Sequence, residues 1–478
     1  MRRGAVTKQL LYQNAVNRTP VKLLSKGIPK VLTVAGSDSG GGAGIEADLK
    51  TFAALGVHGL VAITAVTAQN TIGVLGVCEI PPRMVRLQID AVVRDIGVDA
   101  AKTGMLSSSA IVKEVASAAK RHKLRLVVDP VMVSKSGASL LRSDAIESLI
   151  SCLLPLAEVV TPNLDEAEAL TGSKVRSVEA CRRAGLRILD MGPKAVVIKG
   201  GHLKGDAIDV LCQRGRSPIE FQGPRIDSAT THGTGCTFSS AIAAFLAKGV
   251  PLEEAVVRAK DFVGNAIRYG LAVGKGTGPV DPTSNLQIDA EKYRVTQLMQ
   301  DAISIIESSN AISALTPECQ INIVMALPKP YALNTESVCG VPGRFHNIGG
   351  KLRVASCPAF GASNHVARAV LAAMDFDPEM RAAMNMRCSK EILSACQRLG
   401  FSVGSYDRIK EPTKIKAEEG ATIPWGIREA AERLGAVPDL IYHGGDWGKE
   451  PMITLFGRDP VEVAMKALKI SHATANVR

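Results

Sequence analysis

Gly233-Thr234-Gly235-Cys236 stands directly before Phe238, Ala241, Ile242, Phe245 and Leu246, which recur at helical spacing. The spacing predicts a helix opened by a loop of small residues. A helix start presents unpaired N–H groups and the positive end of the dipole. Gly233, Thr234 and Gly235 are therefore expected to hold phosphate oxygens or a developing negative charge. Cys236 falls in the first turn, where the dipole is expected to lower the thiol pKa and favour thiolate. An anion cradle beside a poised base suits phosphoryl transfer, which rests on positioning and electrostatics. The same residues also read as an ordinary glycine-rich helix start with a buried cysteine.

A second glycine loop lies far upstream. Val31–Gly36 reads as a short apolar strand, followed by Ser37-Asp38-Ser39-Gly40-Gly41-Gly42-Ala43-Gly44 and a helix from about Ile45. Residues 42–47 match the dinucleotide fingerprint by letter only. The glycines begin several residues past the strand, and no carboxylate follows about 20 residues on. No Gly-x-x-x-x-Gly-Lys-Ser/Thr occurs, which excludes a P-loop.

Residues 36–52, Gly-Ser-Asp-Ser-Gly-Gly-Gly-Ala-Gly-Ile-Glu-Ala-Asp-Leu-Lys-Thr-Phe, resemble the signature of hydroxymethylpyrimidine/phosphomethylpyrimidine kinases. So do Val66–Thr71, Lys102–Leu106, Val128–Met132, Thr161–Ala167, Lys199–His202 and the Gly233 loop, in the family's order over about residues 31–285. The family is ribokinase-like, so the resemblance implies a doubly wound α/β domain that uses ATP and magnesium. It places Gly36, Asp48 and Gln69 around a pyrimidine. A carboxamide such as Gln69 complements a ring nitrogen beside an amine, although a strand-end glutamine can also simply pair with backbone. Asn163-x-x-Glu166 resembles the superfamily motif that organises magnesium and phosphate, and Asp129, at the end of strand Leu126–Val128, is placed to join it. The resemblance thus assigns Asp129, Asn163, Glu166, Lys199, Gly233, Thr234 and Gly235 to ATP and phosphate, with Asp129 and Glu166 reaching magnesium indirectly. Most ribokinase-like enzymes carry aspartate where Cys236 stands, as the base that takes the substrate proton. Cysteine there turns the reading from sugars to a hydroxymethylated heteroaromatic alcohol, with pyridoxal kinases the close competitor.

The last part of the chain carries different chemistry. Val341-Pro342-Gly343-Arg344 precedes Ile348-Gly349-Gly350-Lys351-Leu352, which reads as a hairpin. In Phe360–Arg368, Ser363 is expected as an N-cap with His365 in the first helical turn. A cation there opposes the dipole, so His365 makes more sense facing an anion, and Arg344 offers a planar fork for diphosphate. These blocks, with Asp377–Arg387 and Gly448–Met452, resemble the ThiN-type thiamine-phosphate synthase domain over about residues 290–478. The arginine and histidine tied to synthase activity in that family fall on Arg344 and His365. Cys388 stands where the family leads us to expect tyrosine, and Tyr442–Asp446 departs somewhat from the family form. Zinc binding by Cys339, His346, Cys357 and His365 is disfavoured by irregular spacing. The remaining alternative is a regulatory domain that senses thiamine phosphate without making it.

Elements must bring these residues together. Apolar strands at 31–36, 59–67, 126–133, 157–161 and 195–199 alternate with helical segments, as in a doubly wound domain. Gly274–Pro282 marks its end, an amphipathic helix runs from about Ala290 to Ser308, and a second α/β domain follows. With 478 residues, 46% of them hydrophobic, there is material for two cores and no run approaching a membrane span. The ten scattered cysteines suit reduced thiols, so a cytoplasmic enzyme is expected. The net charge of +11 owes +7 to Arg2, Arg3, Lys8, Arg18, Lys22, Lys26 and Lys30. Residues 1–30 read as a disordered extension, with a transit peptide or RNA-binding arm as alternatives. Small molecules are the expected partners, without nucleic acid or membrane, in a homo-oligomer.

Overall fold

The computed structural model describes residues 27–132 and 142–475, except His202 and Lys204. The basic extension, up to Lys26, and His202 lie outside the described residues. The chain divides into two compact units at Asn285–Leu286.

In the first unit the strands are β1 (Lys30–Asp38), β2 (His58–Gln69), β3 (Val74–Glu79), β4 (Ala100–Thr103), β5 (Leu126–Val128), β6 (Ala157–Val160), β7 (Ala195–Ile198), β8 (Ala207–Gln213) and β9 (Ile219–Gly223). They form one sheet in the order β3-β2-β1-β4-β5-β6-β7-β8-β9. The six from β2 to β7 are parallel, while β3, β8 and β9 extend the edges antiparallel. Successive side chains of a strand face opposite sides. Leu32 and Val34, Val128, and Val196 and Ile198 enter one apolar cluster; Val31, Val127, Ala195 and Val197 enter another. A parallel sheet apolar on both faces needs helices on both. Helices Ser109–His122 and Val178–Asp190 cover one face through Ile111, Val115, Cys181 and Ile188. Helices Thr234–Ala247 and Leu252–Arg268 cover the other through Phe238, Ile242 and Phe262.

The five strands read from apolar runs are β1, β2, β5, β6 and β7, and β5 stops at Val128 because Pro130 lacks an N–H. The other four escaped that reading. Buried β4 is four residues long and contains Lys102, and β3 is largely exposed.

The second unit begins within the helix Ser284–Ser308, which buries Val295, Met299, Ala302, Ile303 and Ile306. Its strands are β10 (Ile323–Ala326), β11 (Val338–Gly340), β12 (Phe345–Ile348), β13 (Lys351–Val354), β14 (Ala359–Phe360), β15 (Ala382–Arg387), β16 (Val403–Ser405), β17 (Leu440–His443) and β18 (Met452–Gly457). Seven make a sheet in the order β14-β11-β10-β15-β18-β17-β16, antiparallel except for β16 with β17. The glycine-turn hairpin is β12–β13. Helices His365–Ala373 and Thr422–Leu434 share one apolar cluster with Val324, Ala383 and Phe456.

Candidate functional site

In an open parallel sheet the carboxyl ends of the strands form the binding crevice. Here β1 ends in Asp38, β2 in Gln69, β4 leads to Gly104 and Met105, β5 to Asp129, β6 to Asn163 and β7 to Lys199. All of these line one cavity of about 730 Å³, together with Gly36, Glu166 and the 231–236 loop. Every first-unit residue singled out from the sequence is on its wall except Asp48.

Asp48 is fully buried. It accepts hydrogen bonds from Lys102 Nζ at 2.9 and 3.0 Å, Ser240 Oγ at 2.6 Å and Thr33 Oγ1 at 2.6 Å. Asp48 thus stands behind the cavity wall as the counter-charge of Lys102, which itself lines the cavity. Burial opposes charge on Lys102, but Asp48, Cys236 and Asp129 together hold its pKa above the ordinary lysine value.

Cys236 also differs from expectation. Burial pushes its thiol up to about 11, and Asp48 and Asp129 add to this against the pull of Lys102. Desolvation of a thiolate among buried neighbours outweighs a dipole whose reach is one helical turn. The resting group is a thiol.

The part of the wall expected to face phosphate is built around Asp129. Its Oδ1 accepts from Lys199 Nζ at 2.8 Å and Thr161 Oγ1 at 3.3 Å, and its Oδ2 from Ser239 Oγ at 3.3 Å. Asn163 and Glu166 form a capping box, each side chain accepting from the other's backbone N–H at 2.8 Å. Burial raises the Glu166 pKa; the Lys199 ammonium opposes this and the Asp129 carboxylate reinforces it. Among the described residues no group of three or more His, Cys, Asp and Glu side chains is arranged to hold a metal. Two carboxylates facing a phosphate cavity fit magnesium that arrives on phosphate and keeps most of its water.

The two glycine loops press together. Gly233 has φ 82°, and a Cβ there would lie 1.8 Å from the carbonyl oxygen of Gly42. A Cβ on Gly42 would lie 2.5 Å from His232 Cδ2. Asp38 braces the first loop, accepting from the N–H groups of Gly40, Gly42 and Ala43 at 2.8, 3.1 and 2.8 Å. Burial pushes its carboxyl up, yet the bonds from His232, Gly40 and Ala43 bring it below the usual range. His232 Nε2 lies 3.0 Å from Asp38 Oδ2 and 3.2 Å from Gln69 Nε2. Asp38 and Lys102 stood inside the quoted motifs and His232 directly before one, but contacts across 194 residues leave no trace in spacing.

In the second unit Arg344 sits in a turn at φ 68°, and its guanidinium donates to the Cys319 carbonyl. Glu450 accepts from the N–H groups of Glu318 and Cys319, both at 2.9 Å, which fixes the turn whose Cys319 carbonyl Arg344 holds. His365 is the first residue of its helix. Burial lowers its pKa, and the charges of Arg344, Arg368 and Lys449 lower it further. The N-cap is Asn364, without a side-chain cap bond, and not Ser363. Ser363 is buried beside Gly340, so packing occupies the side chain expected to cap. Arg344, Arg368 and Lys449 thus all act on His365 through their charge, and Arg368 and Lys449 were not among the residues assigned a role from the sequence.

A doubly wound sheet with a glycine anion loop, a buried lysine–carboxylate pair and a cysteine at the loop's end defines a ribokinase-like small-molecule kinase. Residues 38–281 match the model of the phosphomethylpyrimidine kinase family, and the chain belongs to that family. Residues 298–469 match that of thiamine-phosphate synthase ThiN. The hydroxymethylpyrimidine/phosphomethylpyrimidine kinase of Streptomyces coelicolor is 54% identical over 253 residues, 53% of this chain and 94% of that one. The thiamine biosynthesis bifunctional protein ThiED of Geobacter sulfurreducens is 51% identical over 253 residues, 52% of this chain and 51% of that one. Among solved structures, the ADP complex of Bacillus subtilis pyridoxal kinase superposes with TM-score 0.52 at 39% identity, covering 54% of this chain and 99% of that one.

Proposed function

We propose that the first unit phosphorylates 4-amino-5-hydroxymethyl-2-methylpyrimidine and then its monophosphate from ATP. The second unit then joins the diphosphate to thiazole phosphate, forming thiamine phosphate and pyrophosphate. The observation that carries the kinase reading is Cys236 at the end of the Gly233-Thr234-Gly235 loop, in one cavity with Lys199 and Gln69.

Gln69 holds the ring and the 233–235 N–H groups hold the transferring phosphoryl group. The substrate hydroxyl oxygen attacks the γ-phosphorus as its bond to ADP breaks, and the hydroxyl proton passes to Cys236 Sγ. Lys102 stabilises the thiolate that accepts it. Because the transition state is loose, the proton leaves late; the base is the minor thiolate form of Cys236, whose own proton has first gone to solvent and whose share grows with pH. Lys199 offsets phosphate charge. Magnesium, held through water by Asp129 and Glu166, would neutralise the phosphate oxygens.

In the second unit the electron-rich aminopyrimidine expels pyrophosphate and the thiazole nitrogen captures the methylene cation. Arg344, with Arg368 and Lys449 close by, stabilises the departing diphosphate. Diphosphate binding also raises the His365 pKa, so that His365 can protonate the leaving group.

Incubation of the full chain with the pyrimidine alcohol, ATP, magnesium and thiazole phosphate tests both halves. Thiamine phosphate is the expected product. Binding of thiamine phosphate without synthesis would make the second unit a sensor. Phosphorylation of pyridoxal in preference to the pyrimidine would move the kinase to the other branch of the fold.

A further inference from the structure

We infer that His232 is a positioning residue that locks the Gln69 carboxamide in one orientation, and that this lock separates an aminopyrimidine from its oxo counterpart. The inference rests on the proposed pyrimidine site and adds a residue to it.

An ionised carboxylate only accepts hydrogen bonds. His232 Nε2, 3.0 Å from Asp38 Oδ2, must therefore carry a proton, whether the ring is neutral or charged. An Nε2–H cannot accept from an amide N–H, yet the Gln69 amide nitrogen is placed 3.2 Å away. Exchanging the amide oxygen and nitrogen, which have nearly the same shape, resolves the conflict. The oxygen of Gln69 then shares the one Nε2–H with Asp38 Oδ2 in a three-centre bond, where an amide nitrogen would have met a donor with nothing to accept.

Thr67 leads to the same orientation independently. Its hydroxyl donates to the Ser37 carbonyl at 2.8 Å, so it has no second proton for Gln69 at 3.5 Å. Its lone pair is free to accept from the Gln69 NH₂ group instead. His232 and Thr67 thus hold opposite ends of one carboxamide, leaving one N–H and one oxygen lone pair in fixed places at the cavity wall. His232 cannot swing away, because its ring packs on Gly42 and its N–H and C=O bond to Gly278 O and Val280 N at 3.1 and 3.0 Å.

An aminopyrimidine edge offers a ring-nitrogen acceptor beside an amine donor. The 4-oxo compound reverses the pattern, with a ring N–H beside a carbonyl. A free carboxamide would turn over and take either; a locked one takes only the first.

The test compares kcat/KM for the 4-amino and 4-oxo pyrimidine alcohols in the full chain, a ratio from which general losses of activity cancel. Wild type should favour the amino compound by at least about 100-fold, since a site built to hydrogen-bond one pattern rejects its reverse strongly. His232→Leu should bring the ratio within a few-fold of one, and His232→Gln, which keeps an N–H toward Asp38, should restore most of it. A His232→Leu enzyme that keeps the wild-type ratio overturns the proposal. Side-chain ¹⁵N NMR of the wild-type protein gives a readout independent of substrate and of variant folding. It should show a proton on Nε2, and a neutral Nδ1–H tautomer also overturns the lock. If wild type phosphorylates neither alcohol while NMR shows the Nε2 proton, the substrate assignment has failed and the lock stands.

Discussion

At the scale of single residues, Cys236 carries the clearest expectation. Cys236→Ala should lower kinase turnover by about 10²–10⁴-fold, the usual share of general-base catalysis, with ATP binding retained in a fluorescent-analogue assay. Near-normal turnover would reduce Cys236 to packing. Because burial holds the thiol near 11, kcat/KM should climb with pH from neutrality into the alkaline range. Alkylation of Cys236 by iodoacetamide should rise over the same interval, and fast alkylation at pH 7 would contradict the raised thiol. Gln69→Leu leaves the ring edge unpaired and should weaken the pyrimidine alcohol by about 1–3 kcal/mol in calorimetry without a matching loss for ATP. Equal loss for both would indicate misfolding. Most cavity residues were legible because each directly follows an apolar strand. The ionisation of Cys236 and the burial of Asp48 were not, since the first depends on burial with Lys102, Asp48 and Asp129, and the second on Lys102 and Ser240, in each case far away in the chain.

At the scale of elements, the strands easiest to read were those with both faces buried. The edge strand β3 was invisible for the opposite reason, and its exposure has a consequence. Leu75 is 82% exposed and Val77 47%, beside Val66 at 48% and Ile72 at 63%. Contiguous apolar surface at a sheet edge favours association with a second copy. Leu75→Lys with Val77→Lys should shift the protein toward monomer in analytical ultracentrifugation, and a wild-type protein that is already monomeric would remove this edge as a contact. In the second unit, β17 ends in His443, which packs on Tyr406 at a ring separation of 5.2 Å. Burial, with some help from Arg408, lowers its pKa to about 4. A depressed histidine stabilises the fold above its unfolded value near 6.5 and loses that contribution as pH falls toward 4, about 3 kcal/mol in all. Denaturant titrations of His443→Phe should show a shallower loss between those pH values, and an unchanged slope would assign the acid sensitivity elsewhere.

At the scale of the whole molecule, two chemistries reside in separate compact units, and they should be separable by mutation. Arg344→Ala or His365→Ala should abolish thiamine phosphate formation while pyrimidine diphosphate accumulates at the parent rate, followed by chromatography of the reaction mixture. Synthesis at the parent rate in both variants would remove Arg344 and His365 from the chemistry. The division into units was visible in the sequence as a change of motif, but the antiparallel pairing of the second sheet was not, because its strands are short and their partners distant. The contact between Gly233 and Gly42 carries a last consequence, for transplantation. With no space for one side-chain carbon between the loops, neither can be altered alone, whether by drift or by an engineer. A sugar kinase given only the Gly233 loop and its cysteine would meet a foreign backbone opposite and distort. Grafting of this active site should succeed only when residues 36–44 and 231–236 move together, so the unit of inheritance is the pair of loops.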